Sequence, residues 1–334
     1  MSAIAILGAG TWGTALAATL SRAGHDVVLW SALSHELTAL ARDRTHPHLP
    51  GATLPAQVRL EADLRDACAE QAFVFFSVPS VYVRSTALSA RAHIRGGQVL
   101  VDVAKGLEPD TLLPMSGVIR DALGAAAASV PVVALSGPTH AEEVAVELPT
   151  TIVAACEDEA AAMRVQRLFD GTCIRAYTNT DALGVELCGA MKNVIALAAG
   201  ISGGLGYGDN ARAAIITRGM TEMTRLGLAM GCREQTFFGL AGIGDLIVTA
   251  TSAHSRNNRA GWLIGRGCTP EEAVREVGMV VEGIHALSAV MALSKKYGVE
   301  LPISQAVESI VHQGADPAAA VRQLMQRRLK PESV

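Results

Sequence analysis

The chain has 334 residues, of which 50% are hydrophobic and 18% charged, and its formal net charge is −4 at pH 7. This length suggests about two domains, and the acidic balance argues against a general binder of nucleic acids. No apolar run reaches the roughly 18 residues that a membrane span needs, and no basic segment precedes the first apolar run. We therefore expect a globular cytoplasmic protein with no membrane span. None of the six cysteines forms a C-x-x-C pair, so no metal site is expected.

Short runs rich in β-branched or aromatic residues alternate with helix-like segments in the first half of the chain. Strands are predicted at residues 3–7, 26–30, 72–78, 98–103, 131–135, 150–155 and 173–178. Helical patterns lie between several of them, as at residues 14–23 and 158–169. Buried strands that alternate with crossover helices predict a mostly parallel sheet in an α/β domain.

After Asn179 the strand signal ends, and long segments rich in Ala, Leu and Met follow. They cover residues 182–199, 211–230, 284–297 and 302–312. We therefore predict an α/β domain over residues 1–180 and an all-α domain over residues 181–330.

Gly8, Gly10 and Gly13 form a G-x-G-x-x-G pattern directly after the first predicted strand and at the start of a helix. In this context the glycines allow a tight turn, the approach of the backbone to a pyrophosphate, and close packing of helix on strand. The helix N-terminus also favours an anion. The pattern predicts a Rossmann-like domain that binds a dinucleotide, with an ordinary glycine-rich turn as the alternative.

The second predicted strand ends at Trp30 and is followed by Ser31 and Ala32. An acidic residue here holds the ribose 2′-hydroxyl of NAD, and an arginine accommodates the 2′-phosphate of NADP. These positions hold neither, so the sequence leaves the choice of cofactor open and predicts that neither form is strongly excluded.

Lys105, Gly137 and Thr139 follow predicted strands at their carboxyl ends, where open α/β sheets bind ligands. An exposed loop lysine and a helix N-cap at or near Thr139 are the alternatives. Lys192 lies in a predicted helix of otherwise apolar residues. Because burial disfavours the charged form of a lysine, such a residue suits a general base; the alternative is a side chain whose head reaches water.

A Ser-Arg-Asn cluster, Ser255 to Asn257, stands at a predicted helix start. The Arg256 guanidinium can hold two phosphate oxygens, and its neighbours can add neutral hydrogen bonds; a solvated helix cap is the alternative.

Taken together, these motifs resemble the bacterial NAD(P)-dependent glycerol-3-phosphate dehydrogenase family. The resemblance also covers Val78-Pro79-Ser80, Lys105-Gly106-Leu107-Glu108, Asn210-Ala211-Arg212, Gly242-Ile243-Gly244-Asp245 and Val280-Val281-Glu282-Gly283. It implies reversible hydride transfer between sn-glycerol 3-phosphate and dihydroxyacetone phosphate with NADH or NADPH. It further implies supply of the glycerophospholipid backbone, and a homodimer is the habit of the family.

The resemblance implies a role for individual residues. Lys192 is the proton acceptor, Asp245 orients it, and Arg256 holds the substrate phosphate. The implied substrate-binding residues are Lys105, Gly137, Thr139, Lys192, Asp245, Ser255, Arg256 and Asn257, with Thr249 as an addition. Besides the three glycines, the implied dinucleotide contacts are Thr11, Trp12, Lys105, Ala141, Arg256, Val280 and Glu282. Ala32 stands where the family often has His or Arg, near the adenosine ribose.

Two other functions are compatible with such a domain pair. One is a dehydrogenase that acts on a hydroxy acid, which would need a site for a carboxylate. The other is a regulator that senses NAD(P) without turnover, which would have no need for a buried lysine.

Overall fold

The computed structural model describes residues 1–329 and 331–332. Lys330, the last residue of the predicted helical domain, lies outside the described residues. Within them the chain forms one sheet of eight strands: β1 (Ala3–Leu7), β2 (Asp26–Trp30), β3 (Arg59–Glu61), β4 (Phe73–Phe76), β5 (Val99–Asp102), β6 (Val132–Ser136), β7 (Thr150–Ala155) and β8 (Ile174–Asn179).

Sixteen α-helices occur in the same described residues. In chain order they are α1 (Thr11–Arg22), α2 (Ser34–Asp43), α3 (Leu64–Cys68), α4 (Ser80–Ala90), α5 (Met115–Leu123), α6 (Ala141–Ala145), α7 (Glu159–Gln166), α8 (Ala182–Gly204), α9 (Asp209–Ala229), α10 (Glu234–Phe237), α11 (Asp245–Thr251), α12 (Arg256–Gly265), α13 (Pro270–Val277), α14 (Glu282–Tyr297), α15 (Pro302–Gln313) and α16 (Pro317–Met325).

The strands are arranged in the order β3-β2-β1-β4-β5-β6-β7-β8. All neighbouring pairs are parallel except β6 and β7, which are antiparallel. The prediction of a mostly parallel sheet followed by a helical region is confirmed. Strands β1, β4, β5 and β6 therefore end at the same edge, which is where a parallel sheet binds its ligands.

The central strands are buried on both faces by two layers of helices. Ile4 and Ile6 of β1 pack in a core with Leu16 of α1, whereas Ala5 and Leu7 point to the other face, in a core that includes residues of α4 and α5. This explains why these strands are continuous apolar runs rather than alternating patterns.

Several local predictions differ from the structure, among them the end of α8, which extends to Gly204 rather than to residue 199. Strand β3 was not predicted: it has three residues, Arg59 to Glu61, of which Leu60 alone is apolar, and it pairs on one side only, with β2. Helix α1 begins at Thr11, three residues earlier than predicted, because the turn made by the glycines ends at Gly10.

The chain divides into two compact units. The first contains residues 1–189 and 232–245, and the second contains residues 190–231 and the described residues from 246 on. The division at residue 180 into a dinucleotide-binding domain and a substrate domain stays a prediction, since a compact unit need not be a functional domain.

The second unit is helical. Within it, the Glu222 side chain connects α9 to the start of α15. Its carboxyl group accepts hydrogen bonds from the amides of Ile303 and Ser304 and from the Ser304 hydroxyl.

Among the described residues, helix α8 is long and apolar enough to cross a membrane. However, 89% of its most apolar segment is buried within the protein, as in a core helix.

Candidate active site

The turn between β1 and α1 depends on two of its glycines. Gly8 has φ of +123°, and a Cβ there would lie 2.3 Å from the carbonyl oxygen of Ser77. A Cβ on Gly13 would lie 2.0 Å from the carbonyl oxygen of Gly8. Both positions therefore exclude any side chain. Around Gly10, in contrast, no atom lies within 4 Å of an added Cβ, so the backbone is open to a ligand there.

The first turn of α1 fits the pyrophosphate of a dinucleotide. Gly10 is the N-cap and makes no side-chain cap, and the turn contains no acidic residue to repel an anion. Thr11 Oγ1 and Ser77 Oγ are buried beside this turn and have no hydrogen-bond partner among the described residues. Two unsatisfied hydroxyl groups at a helix N-terminus suit a phosphate-bearing ligand.

Ala141 is the first residue of α6, and α6 packs beside α1. The N-cap of α6 is His140, next to Thr139, which agrees with the alternative of a helix N-cap at or near Thr139. The Thr139 hydroxyl donates to the Gly137 carbonyl oxygen at 3.1 Å. Thr11, Trp12 and Gly13 therefore lie on α1 and Ala141 on α6, and these two helices pack together. The other predicted dinucleotide contacts of the first unit lie outside these helices: Gly8 and Gly10 in the turn before α1, and Lys105 after β5.

Lys105 forms a partly buried ion pair in the first unit. Its Nζ donates to Asp245 Oδ2 at 2.7 Å and to the Gly137 carbonyl oxygen at 2.9 Å. Asp245 is only 1% exposed, and Lys105 follows β5 at the carboxyl edge of the sheet. Asp245 thus anchors Lys105, and its predicted role in orienting Lys192 stays a prediction. The ammonium is thereby held in one orientation and is not a mobile surface lysine.

Gly137 is constrained from both sides. Its φ is +147°, and an added Cβ would lie 3.0 Å from the carbonyl oxygen of Thr151. Its carbonyl accepts from both Lys105 and Thr139. The Gly137 carbonyl therefore positions Lys105.

Lys192 is buried in the second unit. It is 5% exposed, and its Nζ donates to Thr249 Oγ1 at 2.7 Å, where Thr249 is itself 4% exposed. The prediction of a buried lysine is confirmed, and the alternative of a head group in bulk water is wrong. The Thr249 hydroxyl therefore accepts one hydrogen bond from this ammonium.

The Ser-Arg-Asn cluster begins α12, as predicted. Ser255 is the N-cap and accepts from the Asn258 amide at 3.2 Å. Asn257 is buried: its Nδ2 donates to Asn193 Oδ1 at 2.9 Å, and its Oδ1 accepts from the Gly283 amide at 2.8 Å. This asparagine therefore ties the start of α12 to the residue after Lys192.

Arg256, the first residue of α12, is exposed, and its Nη1 donates to the Val280 carbonyl oxygen at 3.3 Å. Glu282 is the first residue of α14, two residues beyond Val280. The structure thus brings Arg256 and Val280 together, and their assignment to the dinucleotide stays a prediction.

Sequence reasoning missed two side chains near the dinucleotide turn. Ser77, which follows β4, carries the unsatisfied hydroxyl described above. Glu36 of α2 accepts a hydrogen bond from the Ser31 hydroxyl. Its position six residues after the end of β2 gave no signal, because an acidic residue is expected at the strand end itself.

A parallel sheet with a glycine turn open to a pyrophosphate, together with a buried lysine, defines a Rossmann-type nucleotide-dependent oxidoreductase. The chain belongs to the NAD-dependent glycerol-3-phosphate dehydrogenase family. It matches the N-terminal part of that family over residues 3–162 and the C-terminal part over residues 181–322.

Individual relatives agree over nearly the full length. A protein of Lactobacillus delbrueckii subsp. bulgaricus named glycerol-3-phosphate dehydrogenase [NAD(P)+] 2 is 57% identical, with 99% of each chain covered. One of Agathobacter rectalis, named glycerol-3-phosphate dehydrogenase [NAD(P)+], is 45% identical, with 99% of this chain and 98% of the relative covered. The crystal structure of glycerol-3-phosphate dehydrogenase from Coxiella burnetii superposes with a TM-score of 0.92 at 37% identity, covering 98% and 99% of the two chains.

Proposed function

We propose that this protein interconverts sn-glycerol 3-phosphate and dihydroxyacetone phosphate by reversible hydride transfer with NAD(P). The observation that carries the proposal is the buried Lys192, which donates to Thr249, in a chain that matches the family over residues 3–162 and 181–322. Burying an ammonium is costly, so a lysine kept at such a position needs a chemical role.

Lys192 is the base of this reaction. Oxidation of a secondary alcohol requires that its hydroxyl proton leave as the hydride departs. The nicotinamide, when bound, takes up that hydride or returns it. The neutral amine of Lys192 accepts the hydroxyl proton and becomes an ammonium, and in the reverse direction the ammonium donates that proton to the forming alkoxide. Thr249 Oγ1, 2.7 Å from Nζ, positions the amine.

The remaining residues bind and orient. Arg256 holds the substrate phosphate, with Ser255 and Asn257 fixing the helix start that presents it. Lys105, oriented by Asp245 and Gly137, binds the substrate oxygens together with Thr139. The proposed dinucleotide contacts are Gly8, Gly10, Thr11, Trp12, Gly13, Lys105, Ala141, Arg256, Val280 and Glu282.

The two alternatives lack support of this kind. A hydroxy acid dehydrogenase and a non-catalytic sensor are not what the close relatives are named for. An assay separates all three: the protein is mixed with NADH or NADPH and a panel of small ketones and keto acids, and absorbance of the reduced nicotinamide is followed. We expect turnover with dihydroxyacetone phosphate, and turnover with keto acids alone, or none, would contradict the proposal.

The role of Lys192 is tested by Lys192→Met, which keeps the length of the side chain and removes the ammonium. We expect a folded protein that binds NADH and loses roughly 10² to 10⁴ in kcat, the range of general acid–base catalysis. Lys295→Met, an exposed lysine on α14, is the matched control and should keep its kcat. A folded Lys192→Met variant with near wild-type kcat would remove Lys192 from the mechanism.

The wider context is part of the same proposal. The reaction supplies the backbone of glycerophospholipids, it takes place in the cytoplasm, and the active form is a homodimer. Sedimentation equilibrium tests the last point, with an expected mass twice that of the chain. A mass equal to one chain at assay concentrations would contradict it.

A further inference from the structure

The Glu36 carboxylate is held at the carboxyl end of β2. Ser31 directly follows Trp30, the last residue of that strand, and its hydroxyl donates to Glu36 Oε2 at 2.5 Å. The same hydroxyl accepts from the Leu33 amide at 3.1 Å, and the Glu36 amide donates to the Leu33 carbonyl oxygen at 3.0 Å. These hydrogen bonds place the Glu36 carboxylate, which belongs to α2, beside the carboxyl end of β2.

In a dinucleotide-binding fold, the end of this strand meets the adenosine ribose. An acidic side chain there hydrogen-bonds the 2′-hydroxyl of NAD, and an arginine nearby accommodates the 2′-phosphate of NADP. Residues 31–34 contain no Arg, Lys or His. Of the two arginines that follow, Arg42 is paired with Asp43 at 2.6 Å, and Arg44 donates to two main-chain carbonyl oxygens.

His46 does not offset this charge at neutral pH. Burial lowers the pKa of its imidazole, and neighbouring His48 lowers it further, while Glu36 acts in the opposite direction. The His46 imidazole therefore carries a positive charge less readily than a free one and does little to offset the Glu36 carboxylate at pH 7.

We propose that Glu36 makes this protein prefer NADH to NADPH, by accepting a hydrogen bond from the ribose 2′-hydroxyl and repelling a 2′-phosphate. Because Glu36 is partly exposed, solvent weakens the repulsion, and we expect a preference of roughly tenfold rather than exclusion of NADPH. Use of both cofactors, as the names of the relatives state for those proteins, is compatible with such a preference.

The test measures binding without turnover. Dissociation constants of NADH and NADPH are obtained by nucleotide fluorescence titration, and those of 5′-AMP and adenosine 2′,5′-bisphosphate by calorimetry. The wild type should bind NADH and 5′-AMP more tightly than their 2′-phosphorylated counterparts. Raising the ionic strength from about 0.05 to about 0.5 M should narrow both ratios, because salt screens the repulsion.

Glu36→Gln keeps a hydrogen-bonding group for Ser31 and removes the charge. It should reduce the NADH preference about tenfold, chiefly through tighter binding of NADPH, and Glu36→Lys should reverse the preference. Asp43→Asn is the matched control, because it makes the same charge change at the exposed end of the same helix, and it should leave the ratio unchanged.

Three results would overturn the proposal. The first is a wild type that binds NADPH as tightly as NADH. The second is a Glu36→Gln variant with an unchanged ratio, and the third is an equal shift in Asp43→Asn, which would reveal only a general effect of net charge. Because none of these readouts involves the ketone, they are independent of whether the protein turns over dihydroxyacetone phosphate.

Discussion

Arg256 is an exposed arginine at the first position of α12, and its guanidinium donates to the main-chain carbonyl oxygen of Val280. A phosphate would add a charge-assisted interaction worth about 1.5 to 3 kcal/mol. We expect Arg256→Ala to weaken binding of dihydroxyacetone phosphate by roughly 10- to 100-fold. Unphosphorylated dihydroxyacetone has no such contact to lose, so the variant should narrow the difference in kcat/KM between the two ketones.

The control for this measurement lies on the same helix. Arg259 is exposed and paired with Glu276 at 3.3 Å, so Arg259→Ala removes the same charge one turn away. It should leave the preference between the two ketones unchanged. If Arg256→Ala also left it unchanged, the phosphate would be held elsewhere.

In the turn between β1 and α1, one glycine is needed for folding, whereas another is needed only for binding of the dinucleotide. A Cβ on Gly13 would overlap the carbonyl of Gly8, so Gly13→Ala must displace α1 from β1 and should lower both the free energy of unfolding and the affinity for NADH. A Cβ on Gly10 meets no atom of the protein, so Gly10→Ala should fold normally and weaken NADH binding at least tenfold. Urea unfolding and NADH titration check both variants, and a Gly10→Ala variant with wild-type affinity would show that the pyrophosphate does not approach this residue.

The connection of α9 to α15 through Glu222 leads to a prediction about the stability of the fold. A glutamine at this position has one acceptor oxygen for donors that now share two carboxyl oxygens, both of which can accept even when the group is protonated. Glu222→Gln should therefore lower the free energy of unfolding at pH 5 by about 1 to 3 kcal/mol. Glu271→Gln, on the exposed face of α13, should have almost no effect.

The sign of the pH dependence follows from the burial of Glu222. Desolvation raises the pKa of this carboxyl in the folded state, although its hydrogen bonds to Ile303 and Ser304 oppose the shift. The folded state therefore holds the proton more tightly than the unfolded chain does. This contribution to stability is complete below the unfolded-state pKa and is lost as pH rises through the folded-state pKa. The deficit of Glu222→Gln should shrink between pH 5 and pH 8 in urea unfolding, and a deficit that grew with pH would contradict the assignment.

For the whole molecule, the dinucleotide is expected to stabilise the folded state. A ligand at 100 times its dissociation constant adds about 2.7 kcal/mol to the free energy of unfolding. NADH should therefore raise the unfolding midpoint of the wild type and of Lys192→Met equally, because the lysine is proposed to act on the substrate. Thermal unfolding with and without NADH checks this, and a smaller shift in Lys192→Met would mean that Lys192 also binds the dinucleotide.

Much of the fold was predictable because it follows from neighbouring residues. Strands such as β1 and β2 are apolar runs that end at glycine or at a polar residue, and their bounds were predicted at the residues observed. Strand β3 escaped prediction because an edge strand of three residues buries too little to show an apolar pattern. The antiparallel pairing of β6 with β7 could not be predicted from the sequence either, because apolar strands show the same pattern in either direction.

The sequence by itself determined which chemical groups the protein has and which turns, helices and caps form locally. The glycine turn, the apolar helix around Lys192 and the Ser255 cap depend on residues a few positions apart, so they can be identified without a fold. The tertiary structure alone decided which charged groups meet. Asp245 lies 140 residues from the lysine it pairs with, and Glu36 reaches the end of β2 only because a turn at Ser31 folds back. Electrostatic interactions act over a few ångströms in space, and separation along the chain does not specify that distance.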